Sequence, residues 1–293
     1  APDADFPIIF AEKGIWDFYM NQAPNLGEDN GAVKVKDFSA GRRFNMVPDY
    51  AKAQLQVTTS VEEAFQHYIT KHGLKGTYKS EGNTATVEVE GVSAHGMEPK
   101  LGVNAGLHLA AFLQTLDLSK HAKDYFIFVS HFLVGDSRGK KFGIAFHDES
   151  TGDVTLNVGI LQYNAQKGGK IGINLRYPVS FNQDGAKNKL TNQLKKNGFS
   201  IQTLSHSKPH HVDKESFLVK TLSKVYEGQT GEKAELIAIG GGTYARSLEA
   251  GVAFGPLFPG REDIAHQKDE YMYIDDLLKA IALYAEAIYE LAK

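Results

Sequence analysis

From the amino end, the first patterned stretch is almost wholly apolar, Phe6-Pro7-Ile8-Ile9-Phe10-Ala11. Such a run suits a strand buried on both faces, and Pro7 restricts it to a sheet edge or to a strand end. The pattern changes from about Lys34. Tyr50 to Thr59 is strand-like, and Ser60-Val61-Glu62-Glu63 has the form of a capping box opening a helix that Gly73 can close. Thr77 to Glu81, Gly82-Asn83, then Thr84 to Glu90 reads as a β-hairpin, with Thr84, Thr86, Glu88 and Glu90 alternating against Ala85, Val87 and Val89. After Gly102 the spacing predicts a helix to about Leu118. Its apolar positions, Val103, Leu107, Leu109, Ala110, Phe112, Leu113 and Leu116, wrap too much of the circumference for a one-sided surface helix, which places it between layers.

A second strand-rich block follows, with strands at Val154 to Val158 and Lys170 to Tyr177 and a helix at Ala186 to Lys196 stopped by Asn197-Gly198. Its order of strands and helix repeats that of the first block, as a diverged duplication of one α+β unit would. Ser205 to Pro209 is the best candidate for a crossing between domains. Beyond it the style is different. Glu215 to Glu227 is helical, Glu235 to Ile239 is a short apolar strand, and Gly240-Gly241-Gly242-Thr243 is a tight loop before a helix at Ala245 to Leu248. Val252 to Phe254 reads as a strand, and Asp275 to Leu291 as a closing amphipathic helix with Leu277, Ile281, Tyr284, Ile288 and Leu291 on one face. This alternation is α/β, and its elements are expected to join the sheet begun by the opening strand.

At 293 residues the chain is about twice an ordinary domain, so two domains are expected. A hydrophobic fraction of 42% and a charged fraction of 23% are globular values, and no apolar run approaches the roughly 18 residues that span a bilayer, so no membrane role is expected. With 32 Lys+Arg against 35 Asp+Glu and no long basic block, nothing supplies the phosphate neutralisation that nucleic acid demands. The absence of cysteine confines any metal site to His, Asp and Glu and leaves the cytoplasm as the default compartment. The opening APDADFPIIFAEKG lacks the form of a signal peptide and reads like a chain entered partway through.

Three histidine segments draw attention. His95, in Val92-Ser93-Ala94-His95-Gly96-Met97-Glu98-Pro99, follows a strand and has small neighbours that leave its ring free to project; taken alone it better suits a surface loop. His266, in Arg261-Glu262-Asp263-Ile264-Ala265-His266-Gln267-Lys268-Asp269-Glu270, lies in what otherwise reads as a solvated charge run. His210-His211 reads as linker, because vicinal side chains diverge. The triple glycine before Thr243 lets backbone N–H groups approach an anion but lacks the ending of a phosphate loop. Arg176, at the end of the apolar strand Ile171-Gly172-Ile173-Asn174-Leu175, needs a carboxylate partner or a water-filled cleft.

In combination, Ala11-Glu12-Lys13-Gly14, Ser93-Ala94-His95-Gly96-Met97-Glu98-Pro99 with Gly102-Val103-Asn104-Ala105, Gly240-Gly241-Gly242-Thr243-Tyr244-Ala245-Arg246 and Ala265-His266-Gln267-Lys268-Asp269-Glu270-Tyr271 resemble the M20 family of zinc peptidases. Their order and spacing are similar to its PepV-like dipeptidase branch over the whole chain. The resemblance implies an α/β catalytic domain, represented by its C-terminal portion, with a large inserted α+β lid domain made of two similar halves. The boundaries it implies are 1–13 for a catalytic-domain strand, 14–208 for the lid and 209–293 for the rest of the catalytic domain. It also implies two Zn2+ ions bridged by the attacking water. The family's His-x-Asp motif, bridging aspartate and Glu-Glu pair have no counterpart in this sequence. Asp3 and His266 match ligand positions on opposite zincs, with Asp3 preferred to Asp5 for its Pro-Asp-Ala-x-Phe-Pro context.

By the same resemblance His95 reaches the scissile carbonyl from the lid, and Arg176 holds the C-terminal carboxylate of a dipeptide substrate. The Gly241-Gly242-Thr243 loop and Asn45, in Phe44-Asn45-Met46-Val47-Pro48, assist it. A lid that mimics a dimer contact internally implies a monomer. The expected function is therefore that of a dipeptidase portion inactive alone, with another M20 amidohydrolase or a non-catalytic binding module as alternatives.

Overall fold

The alternating residues of the hairpin divide as their spacing demands. In the computed structural model, which describes residues 1–293 except Leu26, Glu28, Asp29, His266 and Gln267, Ala85, Val87 and Val89 are buried while the polar positions between them are not. After a short strand at Ala4–Asp5, paired with Pro256–Leu257, the principal elements are β1 (Ile8–Glu12), β2 (Gly14–Gln22), β3 (Val33–Ala40), β4 (Tyr50–Val57), α1 (Glu62–His72), β5 (Lys75–Glu81) and β6 (Thr84–Glu90). Next come α2 (Ala105–Leu113), α3 (Lys120–Phe132), β7 (Thr155–Asn164), β8 (Gly168–Tyr177), α4 (Gln183–Lys196) and β9 (Phe199–Ser207). The last are β10 (His210–His211), α5 (Phe217–Thr230), β11 (Leu236–Ile239) and α6 (Ile274–Ala292).

Eight strands make one antiparallel sheet in the order β9-β2-β8-β7-β3-β4-β6-β5. Its middle seam is short, Leu161–Tyr163 of β7 against Phe38–Ala40 of β3. A second sheet has β1 at its centre, antiparallel to β10 and parallel to β11. The opening strand therefore joins C-terminal elements as expected, and Pro7 stands just before it, where no ladder bond is lost. Each sheet has its own apolar core. Trp16, Phe38, Phe65, Phe112, Tyr125 and Leu190 belong to the larger, and Phe6, Phe10, Leu222, Tyr226 and Leu283 to the smaller. The chain passes between the sheets twice, outward at Glu12–Gly14 and back between Ser207 and His210, within the expected crossing.

Several expectations are corrected. Ser60 Oγ accepts from the N–H of Glu62 at 3.2 Å, so the start of α1 is a serine turn instead of a capping box. At the other end Gly73 closes α1 as expected, at φ 63° with its N–H on the Ile69 and Thr70 carbonyls. The buried helix α2 stops at Leu113, where the chain turns, Thr115 donating to the Phe112 carbonyl at 2.9 Å and Leu116 to the Leu113 carbonyl at 3.1 Å, before Val33 donates to the Asp117 carbonyl at 2.9 Å. Between Tyr244 and Ser247 there is a single 3-10 turn, and Ala253 makes only an isolated bridge to Ile9. His210 and His211 form a strand against β1, not a linker. On α6 the buried residues are Asp276, Ala280, Leu283 and Ala287, while Leu277, Ile281 and Ile288 of the expected face are exposed.

Candidate active site

Period-two alternation places Asn174 and Arg176 on the same face of β8, opposite the face carrying Ile173 and Leu175. Their cross-strand neighbours are Asn157 and Thr155 on β7 and Asp17 and Ile15 on β2. Asp17 Oδ1 accepts from Asn174 Nδ2 at 2.6 Å, and Asn174 Oδ1 accepts from Arg176 Nε at 3.0 Å. The guanidinium then reaches the other sheet, where Nη1 donates to the Gly240 carbonyl at 2.6 Å. Arg176 is only 4% exposed, yet its hydrogen-bond acceptors are an amide and a carbonyl, both neutral. Burial pulls its pKa down to about 10 against the opposing pull of Asp17. No salt bridge among the described residues holds it: it is a buried cation whose bonded partners carry no charge. Thr155 Oγ1 and Asn157 Oδ1, on the strand beside it, are buried acceptors without a hydrogen-bond partner among the described residues.

His95 is carried by a loop that pairs with the Asn45 segment. Met46 bridges His95, the Gly96 N–H donates to the Asn45 carbonyl at 2.7 Å, and Val47 donates to Ala94 at 2.8 Å. Asn157 Nδ2 ties down the carbonyls on either side of Asn45, Phe44 at 2.7 Å and Met46 at 3.0 Å. Gly159 is required beneath this segment, since a Cβ there would lie 2.3 Å from the Arg43 carbonyl oxygen. His95 Nδ1 accepts from the Met97 N–H at 3.3 Å, which leaves Nε2 to carry the proton of the neutral ring. Desolvation first, then the charge of Arg176, holds its pKa below the ordinary histidine value.

From the smaller sheet comes the Gly240–Thr243 loop, following β11. Glu12, at the end of β1 and 1% exposed, accepts from the Thr243 N–H at 3.1 Å, from its hydroxyl, and from Arg246 Nε at 2.7 Å. Asp3 Oδ2 accepts from the Tyr244 N–H at 2.7 Å, which sets this carboxylate beside the same loop. The loop also meets the histidine segment, because a Cβ on Gly240 would lie 3.2 Å from Met97 Cβ. Asn45, His95 and Arg176 from one sheet thus gather with Asp3, Gly241, Gly242 and Thr243 from the other. His266 lies outside the described residues.

Sequence reasoning gave no role to Glu12, Lys13, Arg138, Asn157, Asn174 or Arg246. Lys13 donates to the Asp153 carbonyl, and Arg138 joins Asp153 to Glu98 on the His95 loop, at 3.3 and 2.6 Å. The available signal was the one used for Arg176: a charge closing an apolar strand, as Glu12 does after Ile8–Ala11.

A family model for Peptidase family M20/M25/M40 matches residues 10–290, and the chain belongs to that family. A Bacillus subtilis (strain 168) protein named "Putative dipeptidase YtjP" is 50% identical over 297 residues, covering 100% of this chain and 63% of the relative. "Putative dipeptidase SH1171" of Staphylococcus haemolyticus (strain JCSC1435) is 43% identical over 295 residues, covering 99% of this chain and 63% of that protein. The chain therefore spans about 63% of the length of the curated relatives it matches. Among solved structures, aminoacylhistidine dipeptidase from Vibrio alginolyticus overlaps 99% of this chain and 63% of its own at a TM-score of 0.47 and 13% identity, too distant for geometry to be transferred.

Among the described residues, no group of three or more His, Asp and Glu side chains is placed to hold a metal ion. A catalytic zinc takes about three protein ligands, so these residues do not by themselves fit the pair of zinc ions expected of the family. No helix among them is long and apolar enough to cross a membrane.

Proposed function

We propose that this chain is the lid and the C-terminal catalytic portion of a zinc-dependent dipeptidase, and that it is inactive by itself. The observation that carries this reading is the buried Arg176, bonded to neutral acceptors beside His95. A cation in that state is stabilised by an incoming anion, and the C-terminal carboxylate of a short peptide supplies one. Asn45 and the Gly241-Gly242-Thr243 loop flank the same substrate end. With the carboxylate held, His95 directs Nε2–H at the scissile carbonyl oxygen, where negative charge develops. A peptide fixed at both ends has no room for an extra residue, which favours dipeptides.

The eight-stranded sheet is read as the lid, residues 14–208, and its strand orders β9-β2-β8-β7 and β3-β4-β6-β5 as two similar halves meeting at the short β7–β3 seam. Residues 1–13 and 209–293 are read as catalytic domain. Asp3 and His266 are this chain's contribution to the zinc ligands, with the remainder assigned to the longer protein. The dipeptide is the partner, the working form is a monomer, and the compartment is the cytoplasm.

The test compares the 293-residue chain with a form as long as the relatives. Elemental mass spectrometry should find close to zero zinc on the chain and close to two on the longer form, and only the longer form should hydrolyse dipeptides, in preference to longer peptides and N-acyl amino acids. His95→Ala there should reduce turnover about 100 to 1,000-fold. Turnover by the 293-residue chain overturns its inactivity, preference for N-acyl amino acids overturns the substrate class, and an unimpaired His95→Ala variant overturns the role of that side chain.

A further inference from the structure

One guanidinium touches the chain at both places where it passes between the sheets. The outward passage is Glu12-Lys13-Gly14, between β1 and β2, and the return runs from Ser207 to His210, between β9 and β10. Arg246 Nε donates to Glu12 Oε2 at 2.7 Å and Nη2 to the Lys13 carbonyl at 2.9 Å. On the return side, Nη1 donates to Ser207 Oγ at 2.6 Å. The flat of the same group packs on the glycine loop, where a Cβ on Gly242 would come within 2.7 Å of Arg246 Cζ. Glu12 in turn accepts from the N–H and hydroxyl of Thr243, so both passages and the loop share one hydrogen-bonded cluster.

Arginine suits this position because its donors lie in one rigid plane, and three of its nitrogens here serve three different partners. A tilt of either sheet about the crossings takes Lys13 or Ser207 out of that plane and breaks at least one bond. A lysine, with a single point of charge on a flexible stem, retains the Glu12 pair but cannot span both passages.

We infer that Arg246 is the pin that fixes the angle between the eight-stranded and three-stranded sheets, and with it the distance from His95 and Arg176 to the Gly240–Thr243 loop. It is a positioning residue, acting through the crossings. The inference concerns the relative orientation of the sheets and holds whichever bond the protein cleaves, so it stands or falls separately from the dipeptidase reading.

Hydrogen-exchange mass spectrometry and small-angle X-ray scattering on the 293-residue chain test it with Arg246→Met, Arg246→Lys and Ser207→Ala. Lys13 and Val212 are the reporters, since their N–H groups bond the Ile239 and Phe10 carbonyls at 3.1 and 2.9 Å. In Arg246→Met, peptides covering 12–15 and 206–212 should exchange about tenfold faster, with β7 and β8 unchanged and the scattering profile broadened. Arg246→Lys should restore protection at the outward passage more than at the return, and Ser207→Ala should loosen the return alone. Unchanged exchange at both crossings, or faster exchange spread evenly through both sheets, overturns the inference. If Arg246→Met does not fold, Ser207→Ala decides: normal protection at 206–212 in that variant overturns it.

Discussion

Arg176 and His95 share one electrostatic problem, and each shows half of the answer. Burial disfavours charge on both; the guanidinium keeps its proton, and the imidazole loses its own more readily. The folded chain thus binds a proton on His95 less tightly than the unfolded chain does. Its contribution to stability is fully present above the ordinary value of 6.5 and is lost as the pH falls toward and through the lowered one. Since Arg176 is the second cause of the shift, Arg176→Met should raise the His95 pKa, read by NMR titration of the ring; an unmoved value would mean that burial alone sets it. Asp3, Asn45, His95, Arg176, Gly241, Gly242 and Thr243 were singled out through motifs that resemble those of the family, and their roles remain those proposed above. Asn157 and Asn174 were not, because their partners are set by strand register, Asn157 opposite Asn174 and Asn174 opposite Asp17. Register depends on every pair in a ladder at once and leaves no mark at a single position.

Among the elements, α6 shows where periodicity misleads. Of the large apolar residues at 277, 281, 284, 288 and 291, Tyr284 and Leu291 pack against the smaller core but Leu277, Ile281 and Ile288 are exposed, and the buried positions are Ala280, Leu283 and Ala287. Both stripes are apolar, and small side chains let a helix approach its neighbours closely, so side-chain size was the wrong guide. Leu283→Ala should therefore cost about 2 to 5 kcal/mol, and Ile281→Ala, at 54% exposure, no more than about 0.5 kcal/mol, by urea denaturation. Equal losses would mean that Ile281 is covered in solution. The hairpin and the C-terminal ends of α1 and α4 were legible because alternation and glycine act locally. The early stop of α2 was not, since the turn at Gln114–Leu116 leads into a pairing with Val33, far away in the chain.

For the molecule as a whole, chain length pointed to two domains; among the described residues the buried apolar side chains form two large clusters and a small third one around Ile9, Ala245 and Ala253. What length could not convey is that the smaller core is assembled from both ends of the chain, with Phe6, Ile8 and Phe10 packed among residues beyond Val212. Cores joined by two short passages should lose structure in separate steps. Urea titration followed by the fluorescence of Trp16, in the larger core, should have a midpoint different from that of far-UV circular dichroism. Coincident transitions would show the cores to be one cooperative unit. The double passage also has a bearing on ancestry. Ile15 and Ser207 sit directly opposite each other on adjacent strands, so everything between them leaves and rejoins the chain at a single point in space. A segment whose two ends are neighbours can be acquired or discarded in one genetic event without separating the strands it interrupts, and it can be transplanted into another host at any tight turn of matching width.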